Sequence, residues 1–168
     1  MRKLLMTMAL AAATTSTAAN MMMTSMDKTF VTKAGHGNNF EIAAAKLALS
    51  QSMTAGVKSY AQKMITDHTK MGSQMKAAVG KSEPMVMVPA GVDAAQRQML
   101  NQLQGSSGKA FDLKYKSMMV SSHAQTYKLF QGYAKNGRND LVKAVVEGAL
   151  PVVKGHLDMA RMLPNMAM

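Results

Sequence analysis

Apolar residues recur every three or four positions through four stretches of about 25 residues, and nowhere is there a sustained alternation of period two. Stripes of that spacing lie along one side of a helix and bury only against other helices. With Ala, Lys, Gln and Met dominating the stretches, the fold class is all-α. The first helix is expected over 27–51, with Asp27 as its start signal and Ala34, Gly37, Glu41, Ala44 and Ala48 inward. Gly35 and Gly37 weaken its first half and predict a kink or a later start. The second, over 54–79 with Thr54 as cap, carries Val57, Ala61, Met64, His68, Met71, Met75 and Ala78. The third, over 107–136, carries Asp112, Tyr115, Met119, His123, Thr126, Phe130 and Tyr133, and stops at Asn136-Gly137. The fourth, over 139–163, turns Val145, Ala149, Val152, His156, Met159 and Leu163 inward and should bend at Pro151.

The joins after the first and third helices are short, whereas Gly80 to Ser106 is a long connector with a short helix at Asp93–Gln104. A long second connection lets the third helix run parallel to the second, the topology of a ferritin-like four-helix bundle. Residues 1–19 read differently. Arg2 and Lys3, the apolar run Leu4 to Ala13 and the small residues Thr17-Ala18-Ala19 have the order of a signal peptide cut before Asn20. The expected organisation is therefore a leader at 1–19, a Met-rich tail at 20–26, a bundle at 27–163 and a short tail at 164–168. An exported protein, periplasmic or secreted, is implied. No mature segment is long and apolar enough to span a bilayer, and the lack of Cys excludes disulfides.

Removing Arg2 and Lys3 with the leader lowers the net charge from +11 to +9. The lysines are spread singly through every helix with no run of four, which argues for a cationic solvated surface rather than a nucleic-acid groove. An anionic envelope polymer is the partner such a surface would suit. Methionine is the compositional anomaly, with 20 residues against no Trp. Thioethers fill cores flexibly and also serve as soft ligands for Cu(I).

Three of the four histidines stand one helical turn from a methionine: Met64–His68, Met119–His123 and His156–Met159. Glu41, His68 and His123 fall within two or three residues of their helix midpoints and His156 within five, offsets of roughly 3–8 Å along the axis. One carboxylate and three imidazoles from four helices are thus expected in a single interior layer. That set suits Zn²⁺ or Cu²⁺, and nearby thioethers would favour Cu(I). The same residues equally suit a metal-free hydrogen-bonded network. Asp112 lies about 16 Å from His123 along the helix and cannot serve the same ion. Asp67 projects about 100° from His68 and is placed to border the stripe or orient an imidazole. His36 is expected at the surface or at the bundle mouth.

Phe30-Val31 with Glu41, Met64 with Asp67-His68, Phe111-Asp112 with Tyr115, Met119 with His123, and Leu150-Pro151 with His156 and Met159-Ala160 form an ordered set. It resembles the bacterial family known as domain of unknown function 4142, over about residues 27–163. The resemblance implies an exported ferritin-like bundle. It also implies that Glu41, Asp67, His68, Asp112, Tyr115, His123 and His156 hold the family's polar positions. Di-iron chemistry is not expected, because no Glu-x-x-His occurs in the chain. The functions compatible with these residues are metal binding through Glu41, His68, His123 and His156, with Met64, Met119 and Met159 as soft auxiliaries, or a metal-free envelope stress or interaction role. Catalysis is disfavoured: Ser121 and Ser122 face away from His123 on the helix, and no phosphate loop or nucleophile elbow is present.

Overall fold

The computed structural model describes residues 22–164, so the expected leader and the last four residues lie outside it. Five helices and no strand occur among the described residues: α1 (Ser25–Gln51), α2 (Ala55–Ser82), α3 (Ala94–Gln104), α4 (Gly108–Asn136) and α5 (Asp140–Met162). Together they form a helical bundle.

Helix α1 starts two residues before the expected position and runs without a break through Gly35 and Gly37. Its cap is Thr24, and Asp27 is the third helical residue. The Thr24 hydroxyl accepts from the Asp27 N–H at 3.3 Å, and the Asp27 carboxylate accepts from the Thr24 N–H at 2.8 Å. Gly35 is tolerated because the connector needs its bareness. A Cβ there would sit 2.7 Å from the Pro89 ring. The expected Met-rich tail is also shorter, since Met23 is already buried in the core. Helix α2 extends three residues beyond its expected end, and Thr54 caps it by backbone position alone. Its hydroxyl instead donates to Asp112 at 2.5 Å.

That last bond also fixes direction. Thr54 at the start of α2 meets Asp112 near the start of α4, so these two helices run the same way. Tyr133 near the end of α4 reaches Asp27 at the start of α1, and Ser82 at the end of α2 reaches Asn139 before α5. Helices α1 and α5 therefore run opposite to α2 and α4. Helix α3 packs on α1 and α4 within the long connector.

Helix α5 departs from its expected face. Val142, Val146, Ala149, Val153, His156, Leu157 and Ala160 are buried, whereas Val145, Val152 and Met159 are half-buried. The helix packs on both α4 and α2, so its buried arc is set between two neighbours. Adjacent valine pairs cannot reveal that phase by periodicity alone. Pro151 lies inside α5 on its exposed side.

The core falls into two apolar clusters. One gathers Phe40, Ala44, Tyr60, Met64, Phe111, Tyr115 and Met119 near the α1–α2 turn. The other gathers Phe30, Val31, Met75, Phe130, Tyr133 and Val146 near the α4–α5 turn. Between them lies a layer of buried polar side chains.

Candidate metal centre

That layer is made by Glu41, His68, His123 and His156, one from each long helix and each at most 4% exposed. Each belongs to a stripe whose other members are chiefly apolar, so packing the stripes carries the polar groups inward. The three imidazoles form a nearly equilateral set. Ring centroids lie 5.7 Å apart for His68 and His123, 5.3 Å for His68 and His156, and 5.5 Å for His123 and His156. One ligand nitrogen from each lies within 4.8 Å of the other two. A buried histidine cluster able to hold a metal ion is therefore present.

Each ring also has one nitrogen engaged and the other without a partner. His68 donates from Nδ1 to Asn38 Oδ1 at 3.1 Å. His123 donates from Nδ1 to the Met119 carbonyl at 2.9 Å, one turn back on its own helix. His156 donates from Nε2 to Asp67 Oδ2 at 2.8 Å. The remaining nitrogens, Nε2 of His68, Nε2 of His123 and Nδ1 of His156, have no hydrogen-bond partner. In a neutral imidazole whose N–H is committed, the other nitrogen presents a lone pair. Partners of this kind fix the tautomer and aim of metal-ligating histidines.

Burial keeps His68 and His156 neutral. Burial, with His123 and His156 beside it, holds His68 well below the usual imidazole range. Burial also lowers His156, outweighing the opposing pull of the Asp67 hydrogen bond. Burial raises Asp67, yet bonds from His156 and Lys63 outweigh it, so Asp67 stays an anion below the ordinary carboxylate range. Lys63 reaches Asp67 at 2.9 Å from the previous turn of α2.

Glu41 stands beside the imidazole group rather than within it. Its Oε1 lies 3.6 Å from His123 Nδ1 and accepts a hydrogen bond from Ser122, while Oε2 has no partner. The His123 N–H points to the nearer Met119 carbonyl. Burial raises the Glu41 pKa, offset in part by His123 and Ser122.

The other expected residues scatter. Asp67 serves His156 on another helix and not its neighbour His68. Asp112 is buried at the far end of the bundle on Thr54. Tyr115 packs with Phe111 and Tyr60, its hydroxyl unpartnered. Met64 and Met119 are fully buried in the apolar cluster above the imidazoles, and Met159 packs half-buried against it. His36 is half-buried and donates to the Gly91 carbonyl at 2.8 Å, tying α1 to the connector.

Sequence reasoning missed Asn38 and the acceptor role of the Met119 carbonyl. Asn38 lies three residues before Glu41, a spacing that puts it on the same helix face about one turn from the layer. A backbone carbonyl leaves no such signal. Ser122, dismissed as a nucleophile, proves to be the hydroxyl that bonds Glu41.

Comparison with curated proteins and with solved structures yields no match. A family model, by contrast, matches residues 12–163, nearly the whole chain, with the four histidine-bearing helical segments inside it. The chain belongs to the family described as domain of unknown function DUF4142.

Proposed function

We propose that the protein binds a single transition-metal ion, zinc or copper, through His68, His123 and His156. The observation that carries this reading is the set of three buried, unpartnered imidazole nitrogens whose opposite nitrogens are all engaged. An unsatisfied buried acceptor costs about 1–3 kcal/mol, so three in one place are a burden that one cation relieves together. Three neutral imidazoles with an open further position suit Zn²⁺ or Cu²⁺. Glu41 stands beside this set, its carboxyl 3.6 Å from His123 Nδ1. Met64, Met119 and Met159 lie on one side of the layer, where a modest shift would offer thioether sulfur to Cu(I).

The bundle directions and the long connector support a ferritin-like arrangement, with a mononuclear histidine site in place of a carboxylate-rich di-iron one. The order of residues 1–19 supports export to the periplasm or beyond. No described helix is long and apolar enough to cross a membrane. The role this reading assigns is binding or buffering, with the Ser122 hydroxyl donating to Glu41 and holding that carboxylate beside the imidazoles.

The test is calorimetric titration of the full chain with Zn²⁺ and Cu²⁺, beside His123→Ala and His156→Ala. One equivalent bound by the parent and none by either variant is expected. Equal binding by all three proteins rejects the site.

A second reading rests on separate residues. Met53, Met85 and Met87 are 82–90% exposed, an unusual placement for large apolar side chains. They favour a stress role in which surface thioethers consume oxidant. Peroxide that converts these three to sulfoxide while the fold survives supports that role, and loss of the fold at the same dose opposes it.

A further inference from the structure

A cavity of about 170 Å³ adjoins the imidazole layer on the side away from Met64 and Met119. Its inner wall comes from all four long helices: Asn38 of α1, Gly72 of α2, Thr126 of α4 and Val153 of α5. Relative to the polar layer, Asn38 precedes Glu41 by three residues and Gly72 follows His68 by four. Thr126 follows His123 by three, and Val153 precedes His156 by three. Since α1 and α5 run opposite to α2 and α4, all four offsets point to the same side, about one helical turn or 5 Å from the layer. The cavity is therefore a chamber about one turn from the imidazole layer, with His68 as the imidazole that borders it.

Two groups of the layer form part of its wall. His68 and Glu41 both border the chamber, are 4% and 2% exposed, and each has a polar atom without a partner. The rest of the wall is chiefly apolar, with Ala34, Met71, Met75, Phe130 and Ala149 among it. The outer end reaches exposed Ser73 and Lys76 of α2 and Pro89 of the connector, so the chamber communicates with solvent. Asn39 donates to the Pro89 carbonyl at 2.8 Å and holds that edge in place.

We infer that this chamber binds a small, uncharged, largely apolar molecule with a single nitrogen or sulfur donor, which reaches the ion held by the three histidines. The inference rests on the metal reading above for its donor contact and on the cavity alone for its apolar contact. Size sets the class: an apolar protein cavity of about 150 Å³ accommodates a benzene ring. A single ring fits here, and a nucleotide or a sugar chain does not. The bareness of Gly72 keeps the inner end open beside Asn38.

Pyridine is the probe, and the full chain loaded with Co²⁺ is the reporter. Pyridine should change the visible cobalt bands saturably. Ala34→Phe and Ala149→Leu, which fill the chamber from different helices, should retain the cobalt bands and weaken the pyridine response by roughly tenfold or more. Two variants are used because either alone could disturb packing. Cobalt bands that pyridine leaves unchanged, or that respond equally in both folded variants, overturn the inference and leave the metal site standing. Absent cobalt bands, together with no Zn²⁺ or Cu²⁺ bound in the titration above, remove the metal reading itself. The methyl signals of Met71 and Met75 then decide the chamber: pyridine-induced shifts confined to the parent uphold an apolar binding site, and unmoved signals overturn it.

Discussion

Replacing His68 with leucine separates a metal site from a structural hydrogen-bond network, because the two assign opposite signs to the change in metal-free stability. His68 is buried and its Nε2 has no partner. That unsatisfied acceptor costs about 1–3 kcal/mol, and leucine removes it while filling a similar volume with apolar atoms. Against this stands the bond from Nδ1 to Asn38 at 3.1 Å, with a net contribution of about 1 kcal/mol. Asn38 is half-buried, so water replaces the imidazole on its amide. The metal-free variant should thus match the parent or exceed it by up to about 2 kcal/mol. For a domain of this size that is a rise in Tm of up to roughly 8 °C. Zinc at about a hundredfold over its Kd should then stabilise the parent by about 2.7 kcal/mol and the variant hardly at all. Thermal melts with chelator and with zinc read both quantities. A metal-free loss above about 2 kcal/mol would mark His68 as a structural strut, and an undiminished zinc effect would remove it from the ligand set.

Three further outcomes are expected. In Gly72→Ala the new Cβ would meet Asn38 Nδ2 at 2.8 Å and displace that amide from His68. Metal affinity should fall by roughly tenfold, as for other lost supports of a ligand, with Tm little changed; affinity equal to the parent's would show that Asn38 does not position the ring. Metal-free stability should decline as pH falls below about 6.5, because unfolded His68 and His156 take up protons that burial denies them in the native chain. The slope is at most about 1.4 kcal/mol per pH unit for each imidazole. Glu41 acts oppositely: burial raises its pKa, so its contribution to stability diminishes as pH rises above its ordinary 4.5. Urea midpoints of Glu41→Gln isolate the histidine trend, and midpoints flat from about pH 6.5 to 5 would contradict it. Finally, the buried Asp27 carboxylate accepts from Tyr133 at 2.6 Å, from the Arg138 N–H at 3.1 Å and from the Thr24 hydroxyl at 2.6 Å. Asp27→Ala should cost about 2–4 kcal/mol by denaturant unfolding, and a cost below about 1 kcal/mol would show that these bonds do not anchor α1 to the α4–α5 turn.

Much of the fold is local and was therefore legible. Stripe spacing marks four long helices, Asp93 opens α3 as a capping box with Gln96, and Asn136-Gly137 ends α4. Thr24 escaped notice as a cap, although it and Asp27 share the signature spacing, because the Met-rich run before it resembles a tail. The height of a residue along a straight helix is also local information. Counting from helix midpoints was enough to put Glu41, His68, His123 and His156 in one layer.

The amino-acid order alone determined that four rods would form, that each would carry one ionisable group near its middle, and that this group would lie on an apolar stripe. A helix rises by a constant amount per residue, so those properties depend on no other part of the chain. Tertiary structure alone decided which nitrogen of each imidazole is left free, that Asp67 turns to His156 across the bundle, and that Glu41 stands outside the group. It also decided the rotation of α5, which selects Val146 and Val153 over Val145 and Val152. These outcomes depend on how helices rotate against their neighbours and on which acceptor comes within about 3 Å, distances too short for periodicity to resolve.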